Sequence, residues 1–331
     1  MHPCSANESE IEGSIIMKKY WQYIPKVLQE DFIKQRVAPL VGAGFSKNAE
    51  LTSGMTMPDW NELGRKVALH MGKSEYANAV SAFTDYQRNA SRSRLIDLLI
   101  RELHVFEVKP GSAHKAFCRL FHGTTIYTTN FDFLLEEALQ ECGYPVYIID
   151  SEENLTIDTA EYTRLVKLHG DFSRLSKLVV TEKDYDLMYN KMKEPFSVIN
   201  DAISSFRRNT LFLVGYSMED YDIRSLFRNL NDGLNQYEER NLRLINLPGK
   251  REDYPKILEE FFNEISDQLY ENGVYSAKMT PEDEVKTQPG DIQKSGKMID
   301  YVDYRKTVQS IEDLTRPKDD VGMSFSFIIK K

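Results

Sequence analysis

Several things are scarce in these 331 residues, and each scarcity excludes a class of protein. There are only three cysteines, Cys4, Cys118 and Cys142, widely spaced and with no C-x-x-C pair. That spacing rules out a zinc ribbon and a disulfide framework and fits a reducing cytoplasm. No apolar run approaches ~18 residues, and the amino terminus lacks a basic-then-apolar leader, so a soluble, cytoplasmic protein without membrane attachment is expected. Positive charge is also short: the net charge is −9, which argues against autonomous nucleic-acid binding. The six histidines show no metal-ligand spacing, and His70, His104, His114 and His122 read as ordinary helix or loop residues. No internal repeat is present.

What is present is an alternation of short apolar runs with helical patterns. Val37–Val41, Thr124–Thr129, Val146–Ile149, Leu165–Leu168, Leu178–Val180, Leu211–Val214 and Leu242–Ile245 read as strands. Helical patterns cover Met17–Lys34 (interrupted near Pro25), Phe133–Cys142, a broken stretch from Asp184 to Arg208, Asp220–Leu230 and Tyr254–Tyr270. The order implies an α/β fold, a doubly wound parallel, Rossmann-like sheet with helices on both faces. Between Val41 and Thr125 only helical signals occur, so a helical insertion after the first strand is expected at about 59–122. Asp59 with Glu62 three residues on marks its first capped helix. The expected organisation is an amino-terminal helical segment (1–35), a main domain (36–275), and a linker with a carboxyl extension (276–331). In that extension Met298–Leu314 reads as helix and Val321–Ile329 as a strand that must dock on its own domain or on another copy. The aromatic-bearing amino-terminal helix and this tail together motivate an expected homo-oligomer.

The polar residues recur at one place in the pattern. Gly42-Ala43-Gly44 with Ser46, Asn130 with Asp132, His169 with Asp171, Gly215 with Ser217, and Asn246 each follow the carboxyl end of a strand. In an open α/β sheet that edge forms the ligand crevice. Gly-x-Gly after a buried strand suits a turn whose glycines permit positive φ and let a phosphate reach the backbone. It is not a dehydrogenase fingerprint, because Lys47 stands where the third small residue belongs. Singly, each residue also has a plainer reading as a turn glycine, an Asx-turn or a helix cap.

Gly42-Ala-Gly-Phe-Ser46, Thr128-Thr-Asn-Phe-Asp132, Leu168-His-Gly-Asp171, Gly215-Tyr-Ser217 and Ile245-Asn246 together resemble the sirtuin family. The form is that of bacterial sirtuin-like domains of anti-phage defence, over roughly Arg36–Tyr270. The resemblance implies NAD as substrate, with its pyrophosphate on Gly42-Ala43-Gly44 beside Ser46. It places Asn130 by the nicotinamide ribose, His169 as the base, and Ser217 and Asn246 on the adenosine side. It further implies NAD cleavage by water, and a possible ATPase/translocase or Argonaute-like partner. Two departures tell against peptide deacylation. The paired zinc cysteines are missing, so no zinc is expected, and Phe172-Ser173-Arg174 replaces the peptide-pairing segment.

The residue types fit that chemistry independently. Cleaving the nicotinamide–ribose bond passes through an oxocarbenium-like transition state with a leaving group that is already cationic. Asn130 can orient ribose or water, His169 can take a proton, and Asp132 and Asp171 can orient these groups or cap helices. An NAD-dependent ADP-ribosyltransferase or deacylase, and a non-catalytic NAD-sensing subunit, remain as alternatives.

Overall fold

The structure is a computed structural model describing residues 19–51, 55–156, 161–191, 194, 196–216, 230, 241–275 and 325–329. Its centre is a parallel sheet. Strands β1 (Val37–Val41), β4 (Thr125–Thr128), β5 (Val146–Ile149), β6 (Thr163–Lys167) and β7 (Thr210–Val214) lie in the order β5-β6-β4-β1-β7, all parallel. Alternation along each central strand serves two cores at once. Phe212 and Val214 of β7 join one cluster, and Leu211 and Leu213 the opposite one. This two-sided burial explains why the strands read as continuous apolar runs.

Helix α5 (Ser112–Phe121), α6 (Leu134–Glu141) and α9 (Tyr254–Glu271) cover the first face. Helix α8 (Val198–Arg208), started by a Ser197 side-chain cap, covers the second. The amino-terminal segment belongs to the first face. Pro25 begins helix α1 (Lys26–Ile33), and Tyr20, Ile24, Leu28 and Phe32 are buried there. The Glu264 carboxylate on α9 accepts from the backbone N–H groups of Tyr20 (2.7 Å) and Trp21 (3.1 Å), clamping the segment down. The stripe that suggested self-association is therefore used within the chain.

The insertion is mostly as expected. Helices α2 (Trp60–His70), α3 (Ala79–Asn89) and α4 (Arg92–Glu102) carry their own core, and α2 opens with the Asp59/Glu62 capping box. Two features differ. A small antiparallel ribbon, β2 (Glu50–Leu51) with β3 (Val108–Lys109), closes the base of the insertion. Helix α5, expected inside the insertion, instead packs with α9 beneath the sheet, because its Ala113, Ala116, Phe117 and Leu120 face that core.

Three further differences concern strands and helices. Leu178–Val180 is no strand. It crosses the end of β6, where only Val179 N–H donates to the His169 carbonyl (3.0 Å), and it turns Leu178 and Val180 into the insertion core. The stretch from Asp184 resolves into α7 (Glu182–Lys191) and α8. The carboxyl tail returns to its own domain. Strand β9 (Phe325–Ile329) lies antiparallel between β7 and β8 (Asn241–Ile245), making a seven-stranded mixed sheet. The helix expected at Asp220–Leu230 falls, except for Leu230, outside the described residues, as does that at Met298–Leu314. No helix among the described residues is long and apolar enough to cross a membrane.

Candidate active site

The carboxyl ends of β1, β4, β6 and β7 converge where the strand order reverses around β1, which is where open α/β sheets bind ligands. The turn after β4 alternates in purpose. Phe131, Phe133 and Leu134 enter the insertion core, while Asn130 and Asp132 point the other way into a polar cluster. Phe172, after His169 and Asp171, joins the same insertion core. The insertion thus holds both turns from above through residues interleaved with the polar ones.

In the polar cluster, Asn130 Nδ2 donates to Ser46 Oγ (2.9 Å) and to the Gly42 carbonyl (3.2 Å). Ser46 Oγ donates to Asp132 Oδ2 (2.6 Å), and Asp132 Oδ1 accepts from Leu134 N–H (3.2 Å) at the start of α6. Asp132 therefore caps a helix and orients a hydroxyl at once. With both amide hydrogens directed inward, the Asn130 side-chain oxygen is left buried with no hydrogen-bond partner. A buried acceptor left open costs ~1–3 kcal/mol and calls for an explanation.

His169 is 3 % exposed, with the rings of Tyr185 at 5.3 Å and Phe131 at 6.4 Å. Burial pushes its imidazole down to about 3, so it is neutral at physiological pH. Asp171 is buried, and its Oδ1 accepts from the Ser173 backbone N–H (2.8 Å) and hydroxyl (2.5 Å), shaping the turn after His169.

The Gly-x-Gly turn does not use the positive φ expected of it. Gly44 has φ −63°, and Gly42 is not among the positive-φ glycines. Gly44 is needed because a Cβ there would meet the Gly215 carbonyl oxygen at 2.8 Å. Gly215 has φ +76°, and a Cβ on it would lie 2.2 Å from the Phe45 nitrogen. The N–H groups of Gly42, Gly44, Phe45 and Ser46 donate to Val214, Gly215, Gly42 and Ala43 carbonyls respectively. The close approach is by the chain's own β7 turn. Tyr216 extends this seam: its hydroxyl donates to the Val41 carbonyl (3.2 Å) and lies 2.7 Å from Thr129 Oγ1. Ser217 lies outside the described residues. Asn246 is exposed, and β9 separates its strand from β7. At ~4.8 Å per strand, it stands roughly twice as far from Gly215 as adjacent strands would place it.

Three buried side chains lie outside the candidate set read from the sequence. Lys167 and Glu136, 1 % and 3 % exposed, form an ion pair of 2.6 Å beneath the two polar turns. The Lys167 ammonium also donates to the Asp132 carbonyl (2.6 Å). Burial disfavours that ammonium, but Glu136, Asp171 and Asp132 outweigh burial and hold its pKa above the ordinary value. Burial pushes the Glu136 carboxyl up to about 7 against the pull of Lys167, and Asp171 adds to the rise. One cation serving three carboxylates accounts for both directions. The available signal was a lysine inside a buried parallel strand, a place where charges are found only when paired. His114 is the third. It is fully buried against Phe45 (4.5 Å), both ring nitrogens lack a partner, and burial pushes it down to about 3. It is not the ordinary helix histidine expected. Among the described residues, no three His, Cys, Asp or Glu side chains group as metal ligands.

In the comparison with protein families, residues 124–266, which hold β4 to β8, α6 and most of α9, match the model described as SIR2-like domain. Two similar curated proteins are each named NAD(+) hydrolase ThsA. The one from Cytobacillus dafuensis is 26 % identical over 226 residues, covering 64 % of this chain and 43 % of the relative. The one from Bacillus cereus (strain MSX-D12) is 22 % identical over 230 residues, covering 69 % and 47 %. Defense-associated sirtuin 2 of Bacillus subtilis is 32 % identical over 104 residues, covering 30 % of this chain and 10 % of the relative. The chain thus spans less than half the length of the curated relatives it matches.

Proposed function

We propose that this protein hydrolyses NAD at the nicotinamide–ribose bond, releasing nicotinamide, ADP-ribose and a proton. The observation that carries the reading is the buried, unpartnered Asn130 oxygen in a polar cluster at the carboxyl edge of the parallel sheet. A ribose hydroxyl or the attacking water would satisfy it, and the Ser46 and Gly42 contacts hold the amide in that orientation. His169, kept neutral by burial, is in the form that accepts a hydrogen bond from a ribose hydroxyl or from water. Cationic nicotinamide leaves without acid assistance, so the site has only to place C1′ and water and to stabilise positive charge on ribose. Asp132, oriented by Ser46, contributes negative potential to that end. The names of the relatives support the same reaction.

The reading includes a biological role as the NAD-depleting effector of an anti-phage defence system; the name of the Bacillus subtilis relative supports a part in defence. A freely running NAD hydrolase would exhaust its host, so the role also requires a switch: self-association, or a partner of the ATPase/translocase or Argonaute-like kind. The test is to incubate the purified chain with NAD, with and without the product of the neighbouring gene, and to follow nicotinamide and ADP-ribose. Equimolar release of both is expected. Transfer of ADP-ribose to protein instead of water, or no consumption in either condition, would overturn the reading.

A further inference from the structure

The two turns that bear Asn130 and His169 come from different strands, and a buried connection joins them. Lys167 ends β6 two residues before His169, and its ammonium donates to the carbonyl of Asp132, two residues after Asn130. Glu136, one turn into α6 from that carbonyl, holds the same ammonium at 2.6 Å. From Asp132 the connection continues through its carboxylate to Ser46 Oγ and from there to Asn130 Nδ2. We propose that Lys167 and Glu136 are positioning residues that lock the Asn130–Asp132 turn to the His169 turn, so that Asn130 and His169 act on one ribose. This inference rests on the NAD-cleaving reading for its catalytic part only; the locking is a property of the fold.

The chemistry favours this over a merely stabilising pair. A buried ion pair is an inefficient way to stabilise a core, since apolar residues of similar volume do as well or better. What an apolar pair cannot supply is a donor to the Asp132 carbonyl. Lysine suits the task because its flexible stem reaches out of β6 while its point charge meets both a carboxylate and a carbonyl. The Phe133 ring, 5.6 Å from the ammonium, closes the remaining side. The ammonium reaches the Asn130 turn at the Asp132 carbonyl, so its influence on Asn130 is exerted through the Asp132 backbone.

The experiment compares wild type with Lys167→Met and with the double variant Lys167→Met/Glu136→Leu, in the full chain. Three quantities are read: the unfolding midpoint, hydrogen exchange of the backbone amides of 130–135, and kcat and KM for NAD. Lys167→Met alone leaves Glu136 uncompensated and can fail to fold. The double variant removes that uncompensated carboxylate but still leaves the Asp132 carbonyl without its donor, so it is expected to unfold below wild type and above Lys167→Met alone. In it the amides of 130–135 should exchange at least ~10-fold faster while those of α9 do not change. Its kcat should fall at least ~10-fold with KM within ~3-fold, because positioning rather than binding has been lost. A double variant with wild-type exchange in 130–135 overturns the locking, whatever the activity. A double variant with faster exchange and wild-type kcat overturns the catalytic part. If wild type itself cleaves no NAD in the active assembly, the functional reading fails, and the exchange comparison alone decides the locking.

Discussion

The two flanks of the strand-end rim are built in opposite ways. On the β4–β6 flank polar residues are buried and connected: Asn130 to Ser46 and Gly42, Ser46 to Asp132, and the unforeseen Lys167 to Asp132 and Glu136. On the β7–β8 flank, β9 enters between the two strands, and Asn246 stands exposed beyond it. The first flank buries its polar groups in a connected network, and it bears the residues proposed to cleave NAD. The second is where the chain departs from a plain parallel sheet. Chemistry that depends on placement to a few tenths of an ångström belongs on the first kind of flank.

Breaking the first flank should have the largest consequence. Asn130→Ala is expected to lower NAD turnover at least ~10²-fold, read as nicotinamide release, with a stability loss of only ~1–2 kcal/mol for the missing hydrogen bonds. His169→Ala should lose turnover to a similar degree but cost more in unfolding free energy, ~2–4 kcal/mol. Its ring is packed between Phe131 and Tyr185 and leaves a cavity. His169→Gln, closer in volume, should separate the two effects. A His169→Gln enzyme with wild-type turnover would remove His169 from the chemistry.

The seam between the flanks comes next. Gly44→Val pushes a side chain against the Gly215 backbone, which has no rotamer by which to yield. Loss of ~3 kcal/mol or more is expected in denaturant unfolding, with NAD binding falling as a consequence. A variant of wild-type stability that fails only to bind NAD would restore the simpler view of Gly44 as a phosphate contact.

Acid sensitivity depends on three buried groups, His169 and Glu136 on the first flank and His114 in the core under the sheet. His114 and His169 are held at about 3 in the fold, against ~6.5 in the unfolded chain. The unfolded chain therefore takes up the extra protons; stability is full above ~6.5 and falls with pH below it, by ~2 kcal/mol per histidine at pH 5. Glu136 has the opposite sign. Its folded pKa of about 7 lies above the unfolded ~4.3, so its contribution is full at low pH and lost as pH rises through 7. From pH 7 to 5 the glutamate offsets roughly one histidine. Wild type should lose ~2 kcal/mol in that window, and His114→Leu should be nearly flat. Parallel pH profiles of the two proteins would contradict the assignment.

Much of this is legible in the sequence, and the exceptions have physical causes. The parallel sheet, the insertion and the Asp59 cap follow from local periodicity and capping chemistry, and the strand-end polar residues follow from where those strands stop. A Gly-x-Gly pattern reports that something approaches closely, not what; here the Tyr216 ring lies against Gly42 and the Gly215 backbone against Gly44. The place of β9 has no local signal, since its pairing with Leu211–Leu213 and Asn241–Ile245 joins distant stretches of chain. Lys167 is visible as a charge within Leu165-Val166-Lys167-Leu168, but its partner Glu136 lies on another element.

The smallest effect should come from the second flank. Asn246→Ala is expected to change KM for NAD by no more than ~2-fold, because the residue is exposed and its strand is set apart from β7. A tenfold rise in KM would show that the two flanks close on the ligand together.

The most direct test of the account is a crystal structure of His169→Gln soaked with NAD. The nicotinamide ribose is expected at the carboxyl ends of β4 and β6, with a ribose hydroxyl or an ordered water within ~3 Å of the Asn130 side-chain oxygen. The Ser46 and Lys167 contacts should be unchanged. A ribose seated elsewhere, with the Asn130 oxygen still unpartnered, would contradict it.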